Sequence, residues 1–307
     1  MRIVFMGTPP FAAVSLKTLV GAGHDVAGVF SRPDRPAGRG RRLKESAVKE
    51  LAQTLGLPVF QPERPGAAIA DLRTLAPEIV VVVAYGRILP PEILALPPAG
   101  CVNLHASLLP AYRGAAPIQW ALLNGETRTG VTTMRMDSGL DTGDILLQRE
   151  CPILPEDDLG ALQAKLAGQG AELLLETLRR LETGLLAPQP QRAGATMAPR
   201  LKREDERLNW TEDAFRLACR IRALSPRPGA FTELRGETLK VWAAEPRTET
   251  VGAAPGEIIR PTEQGLLCAA GSGGLELKIV QPAGRGRMTG ADFARGRRLR
   301  AGERFAL

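Results

Sequence analysis

The sequence is poor in the residue types that build metal clips and disulfide scaffolds. Only 4 of its 307 residues are cysteine and only 2 are histidine. The cysteines stand far apart, at positions 101, 151, 219 and 268. This spacing argues against a zinc ribbon and against a disulfide framework, and it favours a reducing compartment.

Several longer patterns are missing as well. No run approaches the ~18 apolar residues of a membrane-spanning helix. The N-terminus lacks the basic lead and the long apolar run of a signal peptide. We therefore expect a cytoplasmic protein with no membrane partner. The turn Gly7-Thr8-Pro9-Pro10 lacks the three-glycine fingerprint of dinucleotide sites, and no P-loop lysine motif occurs, so we expect neither NAD, FAD nor ATP.

The residues that are present suffice for about two domains with buried cores, because 44% of the 307 residues are hydrophobic. The net charge of +7 is unevenly spread, since residues 1–199 carry a net +1 and residues 200–307 a net +6. A basic module behind a neutral one favours an anionic partner such as nucleic acid. Composition alone fits a solubilising surface equally well.

One basic segment interrupts the neutral part of the chain. Between Ser31 and Lys44 the only acid is Asp34, against six basic side chains: Arg32, Arg35, Arg39, Arg41, Arg42 and Lys44. Two prolines and two glycines predict an exposed loop without regular structure. Guanidinium groups can pair with phosphates through two hydrogen bonds. Because the six charges repel one another, we favour phosphate binding over a merely solvated loop.

The first part of the chain alternates between strand and helix patterns. The continuous β-branched run Ile79–Ala84 is typical of a parallel strand buried on both faces. The predicted strands are Arg2–Gly7, Asp25–Ser31, Leu57–Phe60, Ile79–Ala84 and Cys101–His105, and the predicted helices are Phe11–Val20, Glu45–Gly56, Ala67–Leu75 and 158–183. This order predicts an α/β fold with a wound, mostly parallel sheet.

A stretch rich in proline, alanine and glycine follows and is typical of an interdomain connection. The predicted organisation is an α/β domain over 1–184, a linker over 185–199 and a basic C-terminal domain over 200–307. The last domain is expected to begin with a helix at Thr211–Ala223, capped by Thr211. Short alternating runs then predict a small β-barrel, at 230–234, 239–243, 256–260, 265–270 and 275–280.

Two polar side chains end one of the predicted strands. Asn103 and His105 share a face of the strand near its carboxyl end, where open α/β sheets bind ligands. A lone histidine is usually a core residue, but here an asparagine beside it would need partners too. The loop 136–145 holds aspartates at 137, 141 and 144 and lacks the closing glutamate of a calcium loop. We interpret it as a loop between two strands that brings a carboxylate to the imidazole; spacing leaves open which one.

These residues carry a resemblance that runs nearly end to end. The chain resembles the methionyl-tRNA formyltransferase family in six segments: PDRPAGRGRRL at 33–43, NLHASLLPAYRGAAPIQWAL at 103–122, GLDTGDIL at 139–146, APRLKREDERLNW at 198–210, CRIRALSPRPGAF at 219–231 and VQPAGRGRM at 280–288. The pattern NxHxSLLP followed by LDxG is shared by the wider group that uses 10-formyltetrahydrofolate, including the glycinamide ribonucleotide enzyme. The basic segment and the C-terminal motifs point to the tRNA enzymes.

The resemblance implies a Rossmann-like formyltransferase domain and an OB-like C-terminal barrel. It implies transfer of a formyl group from 10-formyltetrahydrofolate to the amine of methionyl initiator tRNA for translation initiation, without a metal. The implied catalytic residues are Asn103, His105 and Asp141. The implied folate-binding residues are Ser107, Leu108, Leu109, Pro110, Arg87, Ile88 and Leu89. The implied tRNA-binding residues are Arg35, Arg39, Arg41, Arg42 and Lys44. We expect a monomer.

Other functions stay open at this point. A related folate-dependent formyltransferase would act on a small amine, such as a sugar nucleotide or a purine precursor, and would leave the basic C-terminal domain without a purpose. A tRNA-binding module on an inactive formyltransferase fold would have lost Asn103, His105 or Asp141, and all three are present. Hydrolysis of the formyl folate is disfavoured because water as the acceptor needs no basic segment.

Overall fold

The predicted alternation of strands and helices folds into a central sheet. The computed structural model describes residues 1–37, 42–248 and 252–306. Before the predicted linker, the described residues form nine strands: β1 Arg2–Gly7, β2 Asp25–Phe30, β3 Arg35–Ala37, β4 Arg42–Lys44, β5 Val59–Phe60, β6 Ile79–Val83, β7 Cys101–His105, β8 Arg128–Arg135 and β9 Ile145–Pro152.

Seven of these strands form one sheet in the order β5-β2-β1-β6-β7-β8-β9. The pairings from β5 to β7 are parallel, whereas β7–β8 and β8–β9 are antiparallel. The prediction of a wound, mostly parallel sheet is therefore confirmed. The strand order reverses between β1 and β6, which places a topological switch point there. All five residues of β6 are buried, as its unbroken apolar sequence predicts.

The four predicted helices are present in the described chain, together with two short helices that the sequence patterns did not predict. They are α1 Pro10–Gly21, α2 Ala47–Thr54, α3 Ile69–Leu75, α4 Pro91–Leu94, α5 Pro117–Leu123 and α6 Leu159–Glu182. Helix α2 begins after Ser46, whose hydroxyl accepts a hydrogen bond from the Lys49 N–H at 3.1 Å. This side-chain cap satisfies one main-chain donor that the first helical turn leaves free.

The prediction that the basic segment lacks regular structure is wrong. Strands β3 and β4 pair as an antiparallel hairpin, with Arg35 opposite Lys44. A two-stranded hairpin has only edge strands, so Pro36 can stand where its nitrogen faces away from the partner strand. At the base of the hairpin, Asp34 binds the Lys49 ammonium at 2.5 Å. The carboxylate of Asp34 is thus neutralised by Lys49.

The chain separates into two compact units. The first comprises Met1–Pro117, Arg128–Pro152 and Gln163–Pro199, and the second comprises Ile118–Thr127, Ile153–Leu162 and Arg200–Leu307. Two short stretches within the first 184 residues therefore group with the C-terminal unit. Within the described ranges, no helix is long and apolar enough to cross a membrane.

An antiparallel sheet dominates the second unit. Its later elements are α7 Ala214–Leu224, β10 Ala230–Leu234, β11 Glu237–Arg247, β12 Ile258–Pro261, β13 Leu266–Ala269, β14 Gly274–Pro282, β15 Met288–Thr289 and α8 Gly290–Arg297. The strand order is β10-β11-β14-β13-β12, with β15 on β14. The predicted short strands are confirmed, but the barrel is not closed, because β10 and β12 stand at opposite edges of the described sheet. Helix α7 is capped by Asp213 rather than by Thr211.

The core of this unit is built on Trp210, which is fully buried and stacks on Phe305 with the ring centroids 5.1 Å apart. A buried carboxylate lies on the same sheet. Burial raises the pKa of Glu276, but hydrogen bonds from Thr262, Arg247 and Lys278 outweigh it and lower the pKa to about 2. The fully partnered carboxylate is thus held ionised inside the unit.

Candidate active site

The imidazole of His105 lies at the carboxyl end of β7 and is only 6% exposed. Its Nε2 lies 2.9 Å from the carbonyl oxygen of Tyr112. Because a carbonyl can only accept, Nε2 carries the hydrogen and donates it. The other ring nitrogen, Nδ1, lies 3.7 Å from Oδ2 of Asp141. The ring is thus held at one nitrogen and faces a carboxylate at the other.

The structure selects Asp141 from the three aspartates of the loop between β8 and β9. Its Oδ2 accepts a hydrogen bond from the Gly114 N–H at 2.8 Å, and its side chain is 14% exposed. Asp137 instead binds within its own loop, to the Gly139 N–H and the Thr142 hydroxyl. Only Asp141, among the described carboxylates, has an oxygen within 4.0 Å of a ring nitrogen of His105.

The third predicted residue, Asn103, lies two positions before His105 on β7 and is half-buried. Within the part of the chain that the structure describes, its side-chain amide makes no hydrogen bond to the protein. A half-buried amide without a protein partner is available to a ligand. Among the described residues, no group of three or more His, Cys, Asp or Glu side chains is arranged to hold a metal ion.

The loops that face His105 adopt unusual main-chain conformations. Tyr112 has φ +61 and Asp141 has φ +54, both in the left-handed region. A bulky residue such as tyrosine rarely occupies this region, and such conformations cluster at functional sites. Gly114 has φ +122, and a Cβ on it would lie 2.7 Å from the carbonyl oxygen of Ala198. Glycine at this position therefore lets the loop approach the chain at Ala198.

A buried threonine organises the segment Ser107–Pro110 that follows β7. Thr132, on β8, donates its hydroxyl to the Ser107 carbonyl at 2.6 Å and accepts from the Leu109 N–H at 3.1 Å. Gln148 donates to the same hydroxyl and to the Leu109 carbonyl. The side chains of Ser107 and Leu109 are buried, whereas those of Leu108 and Pro110 are half-buried.

The other predicted folate segment follows the neighbouring strand β6. Ile88 is 75% exposed, Arg87 is half-buried and Leu89 is buried. Burial raises the pKa of the nearby Tyr85 hydroxyl, and the positive charges of Arg87 and Arg32 oppose that effect. Because β6 and β7 are adjacent and parallel, the structure brings both predicted segments to the same edge of the sheet.

The predicted tRNA-binding residues belong to the β3–β4 hairpin. Arg35 and Lys44 are exposed. Arg39 and Arg41 lie outside the described residues, and so does the side chain of Arg42. The base of the hairpin adjoins the Tyr85–Leu89 segment, since a Cβ on Gly86 would lie 3.4 Å from the Arg32 guanidinium.

Sequence analysis missed four residues that shape this site: Tyr112, Gly114, Thr132 and Gln191. Tyr112 and Thr132 act through a main-chain atom and a buried hydroxyl that leave no pattern in the sequence. Gln191 lies in the predicted linker, yet it binds Arg113 and the loop of Asp141. Only Gly114 carried a signal, because an isolated glycine often marks a close approach of the main chain.

Two family models match the chain. One, described as "Formyl transferase", matches residues 1–178, and the other, "Formyl transferase, C-terminal domain", matches residues 200–298. The methionyl-tRNA formyltransferase of Solibacter usitatus is 50% identical over 308 residues, covering 99% of this chain and 98% of that protein. The protein of the same name from Geobacter sulfurreducens is 46% identical over 99% of this chain and 96% of its own length.

Solved structures share the fold at low sequence identity. An N-formyltransferase from Helicobacter canadensis, in complex with folinic acid and dTDP-3-aminofucose, matches with a TM-score of 0.67 at 18% identity, over 91% of this chain and 99% of that one. The methionyl-tRNA formyltransferase from Clostridium thermocellum matches with a TM-score of 0.57 at 19% identity, over 80% and 93%. Given the two family matches and full-length relatives at about half identity, the chain belongs to the formyl transferase family.

Proposed function

We propose that this chain transfers the formyl group of 10-formyltetrahydrofolate to the free amino group of methionyl initiator tRNA, for translation initiation. The observation that carries the proposal is the grouping of Asn103, His105 and Asp141 near the carboxyl end of β7, in a chain that also has a basic hairpin. Relatives named methionyl-tRNA formyltransferase, at up to 50% identity over nearly the whole chain, support the same substrate.

The reaction is an acyl transfer between two nitrogens. The methionyl amine attacks the formyl carbon, and the electron pair of the C=O bond moves to oxygen to give a tetrahedral centre. Collapse of that centre breaks the bond from carbon to N10 and releases tetrahydrofolate. The attacking amine loses one proton and N10 gains one. The site must therefore stabilise an oxyanion and move a proton.

The Asn103 amide is suited to the oxyanion. It is half-buried on β7 and makes no hydrogen bond to the described protein, so its N–H can be donated to the developing charge. A donor already in position costs no reorganisation during the reaction. Losing one such donor typically raises the barrier by ~3 kcal/mol, roughly a hundredfold in rate.

His105 and Asp141 are suited to the proton. Because Nε2 donates to the Tyr112 carbonyl, Nδ1 is the nitrogen left to take a proton from the amine. The carboxylate of Asp141, 3.7 Å from Nδ1, stabilises the imidazolium that forms. The proton can then return to N10 as the tetrahedral centre collapses. Contacts of this kind are often longer in the free enzyme than in the reacting complex.

The folate would lie along the sheet edge between the ends of β6 and β7. The exposed Ile88 and the half-buried Leu108 offer apolar surface, and Arg87 offers a positive charge for a folate carboxylate. The buried residues Ser107, Leu109 and Leu89, with Pro110, would act by fixing the main chain rather than by side-chain contact. The reaction needs no metal ion, since none of the steps described above depends on a Lewis acid.

Two basic regions would hold the tRNA. The hairpin presents Arg35 and Lys44, joined in sequence by Arg39, Arg41 and Arg42. Residues 200–307 carry a net charge of +6, and among them Trp242 lies under the Arg287 guanidinium at 3.9 Å from ring centroid to Cζ. Lysine and arginine side chains would supply the phosphate contacts. We further propose that the protein works as a monomer in the cytoplasm.

A formylation assay tests the proposal directly. Initiator and elongator tRNAs, each charged with methionine, are incubated with the protein and 10-formyltetrahydrofolate. We expect formyl-methionyl initiator tRNA as the main product. Faster formylation of a sugar nucleotide amine or a purine precursor would refute the tRNA substrate and favour the small-amine alternative.

Variants separate chemistry from binding. Asn103→Ala and Asp141→Ala are each expected to remove most single-turnover activity while tRNA affinity stays near normal. The matched control is Asp144→Ala, in the same loop, because that side chain makes no hydrogen bond within the described residues. Wild-type single-turnover rates in either test variant would show that the assignment is wrong.

Substitutions in the hairpin address the tRNA instead. Arg41→Ala and Arg42→Ala are expected to weaken use of initiator tRNA far more than they disturb folate binding. The dependence of tRNA affinity on salt is expected to become shallower with each charge removed. Equal losses for tRNA and folate would indicate misfolding rather than loss of a phosphate contact.

A further inference from the structure

A segment outside both family matches holds the loops that face His105. Residues 191–198, here called the strap, lie between the match that ends at residue 178 and the one that begins at residue 200. Their composition predicts a linker. In the structure the strap belongs to the first unit and is hydrogen-bonded to the two loops that carry Tyr112 and Asp141.

The strap binds the first of these loops through the main chain. The Thr196 carbonyl accepts from the Arg113 N–H at 2.8 Å, and the Ala198 N–H donates to the Arg113 carbonyl at 2.7 Å. The Thr196 hydroxyl accepts from the Tyr112 N–H at 2.8 Å. The carbonyl of the same Tyr112 accepts the hydrogen bond from His105. The strap therefore fixes the acceptor for one nitrogen of the imidazole.

One side chain of the strap joins this loop to the other. The Gln191 Nε2 donates to the carbonyls of Asp141 and Gly143, each at 2.8 Å. Its Oε1 accepts from Arg113, at 3.1 Å from Nε and 2.7 Å from Nη2. Both amide hydrogens and the amide oxygen are thus used. The bonds lead to Asp141 and Gly143 in one loop and to Arg113, beside Tyr112, in the other.

We propose that Gln191 is a positioning residue for formyl transfer. Its hydrogen bonds set the distance between two groups that flank the His105 ring. These are the Tyr112 carbonyl, which faces Nε2, and the Asp141 carboxylate, which faces Nδ1. Both loops contain a non-glycine residue with positive φ, a conformation that persists only where the surroundings hold it. The inference rests on the proposed function, because it gives Gln191 a role in that same reaction.

Two substitutions divide the contacts of Gln191. Gln191→Leu removes all of them, whereas Gln191→Glu keeps the acceptor for Arg113 and loses only the two donated bonds to the loop of Asp141. We expect kcat to fall about ten- to a hundredfold in both variants, with KM for methionyl-tRNA within about threefold, because small misplacements of catalytic groups cost rate rather than binding. Equal kcat in Gln191→Glu and the wild type would refute the proposal.

The matched control is Gln189→Ala, two residues before the strap. The side chain of Gln189 is exposed and makes no hydrogen bond within the described residues, whereas its main chain pairs with Ile145. We expect wild-type kcat and KM for this variant. If Gln189→Ala lowers kcat as much as Gln191→Leu does, the effect is a general loosening of the segment and the proposal is wrong.

A double-mutant cycle distinguishes positioning from general stability. If Gln191 acts through Asp141, adding Gln191→Leu to Asp141→Asn costs little further in single-turnover rate. Full additivity would overturn the proposal. Thermal unfolding of each variant identifies any that fails to fold. If Gln191→Leu fails to fold, the kcat of Gln191→Glu, which keeps the Arg113 contacts, tests the proposal.

The same experiment separates this inference from the proposed function. If the wild type formylates methionyl-tRNA, Asn103→Ala does not and both Gln191 variants keep wild-type kcat, the function stands and the positioning role fails. If the wild type does not formylate methionyl-tRNA, the proposed function falls and the inference falls with it.

Discussion

Thr132→Val is expected to destabilise the first unit strongly. The substitution keeps the side-chain shape and removes one fully buried hydroxyl. That hydroxyl donates to the Ser107 carbonyl and accepts from the Leu109 N–H and from Gln148. Gln148 keeps its bond to the Leu109 carbonyl. The Leu109 N–H and the Ser107 carbonyl have no other hydrogen-bond partner within the described residues.

The magnitude follows from those two buried main-chain groups. Each unsatisfied group costs about 1–3 kcal/mol, so the loss for two is about 4 kcal/mol. For a unit of this size 1 kcal/mol corresponds to about 3 °C, which gives a decrease in Tm of about 12 °C. The same loss loosens the segment Ser107–Pro110, so the affinity for a folate ligand is expected to fall as well.

Thr129→Val supplies the control on the same strand. Thr129 is also buried, but its hydroxyl has no hydrogen-bond partner among the described residues. Replacing it removes an unsatisfied polar group, and we expect no loss of stability or a gain of up to about 1 kcal/mol. Calorimetry of both variants, with folate binding measured in parallel, gives the comparison. Equal Tm values for the two variants would refute the hydrogen-bond argument.

Two further predictions test other parts of the molecule. Glu276→Gln is expected to lower stability at neutral pH, because the lowered pKa of Glu276 stabilises the fold only where the carboxyl is ionised. The difference from wild type should shrink as the pH falls from 4.5 to about 2; urea unfolding at several pH values measures it, and a pH-independent difference would contradict the assignment. Gly114→Ala is expected to lower kcat more than tenfold, since neither its φ of +122 nor the space beside it suits a Cβ. Gly168→Ala lies in α6, where there is open space for a Cβ, and should instead raise the free energy of unfolding by about 1 kcal/mol. A loss of kcat in this variant as large as that in Gly114→Ala would contradict the steric explanation.

The parts of the fold that sequence patterns predicted are those fixed by apolar periodicity. The buried run of β6 and the end of β7 at His105 were both predictable, because burial on two faces requires unbroken apolar residues. The prediction that Asn103 and His105 share one face follows from the alternation of side chains along a strand. Their pairing with Asp141 needed the family resemblance, since the spacing alone fits three aspartates.

The remainder depended on contacts that sequence composition does not encode. Pro36 suggested an irregular loop, but an isolated hairpin tolerates proline on its outer edge. The proline-rich stretch at 185–199 suggested an interdomain linker, yet its second half is bound by main-chain hydrogen bonds to Pro110, Arg113 and Ala116. Such bonds are available to almost any sequence, so only the three-dimensional arrangement identifies them.

The surroundings of the imidazole are made largely of peptide groups. The Tyr112 carbonyl receives the hydrogen of His105, the Gly114 N–H binds the Asp141 carboxylate, and the Asp141 and Gly143 carbonyls receive the hydrogens of Gln191. Alanine substitutions leave these peptide groups intact. An alanine scan would therefore underestimate what the loops around His105 contribute to the site. Replacing the peptide N–H of Gly114 with an ester oxygen would reveal what that single peptide group contributes to holding the Asp141 carboxylate beside the imidazole.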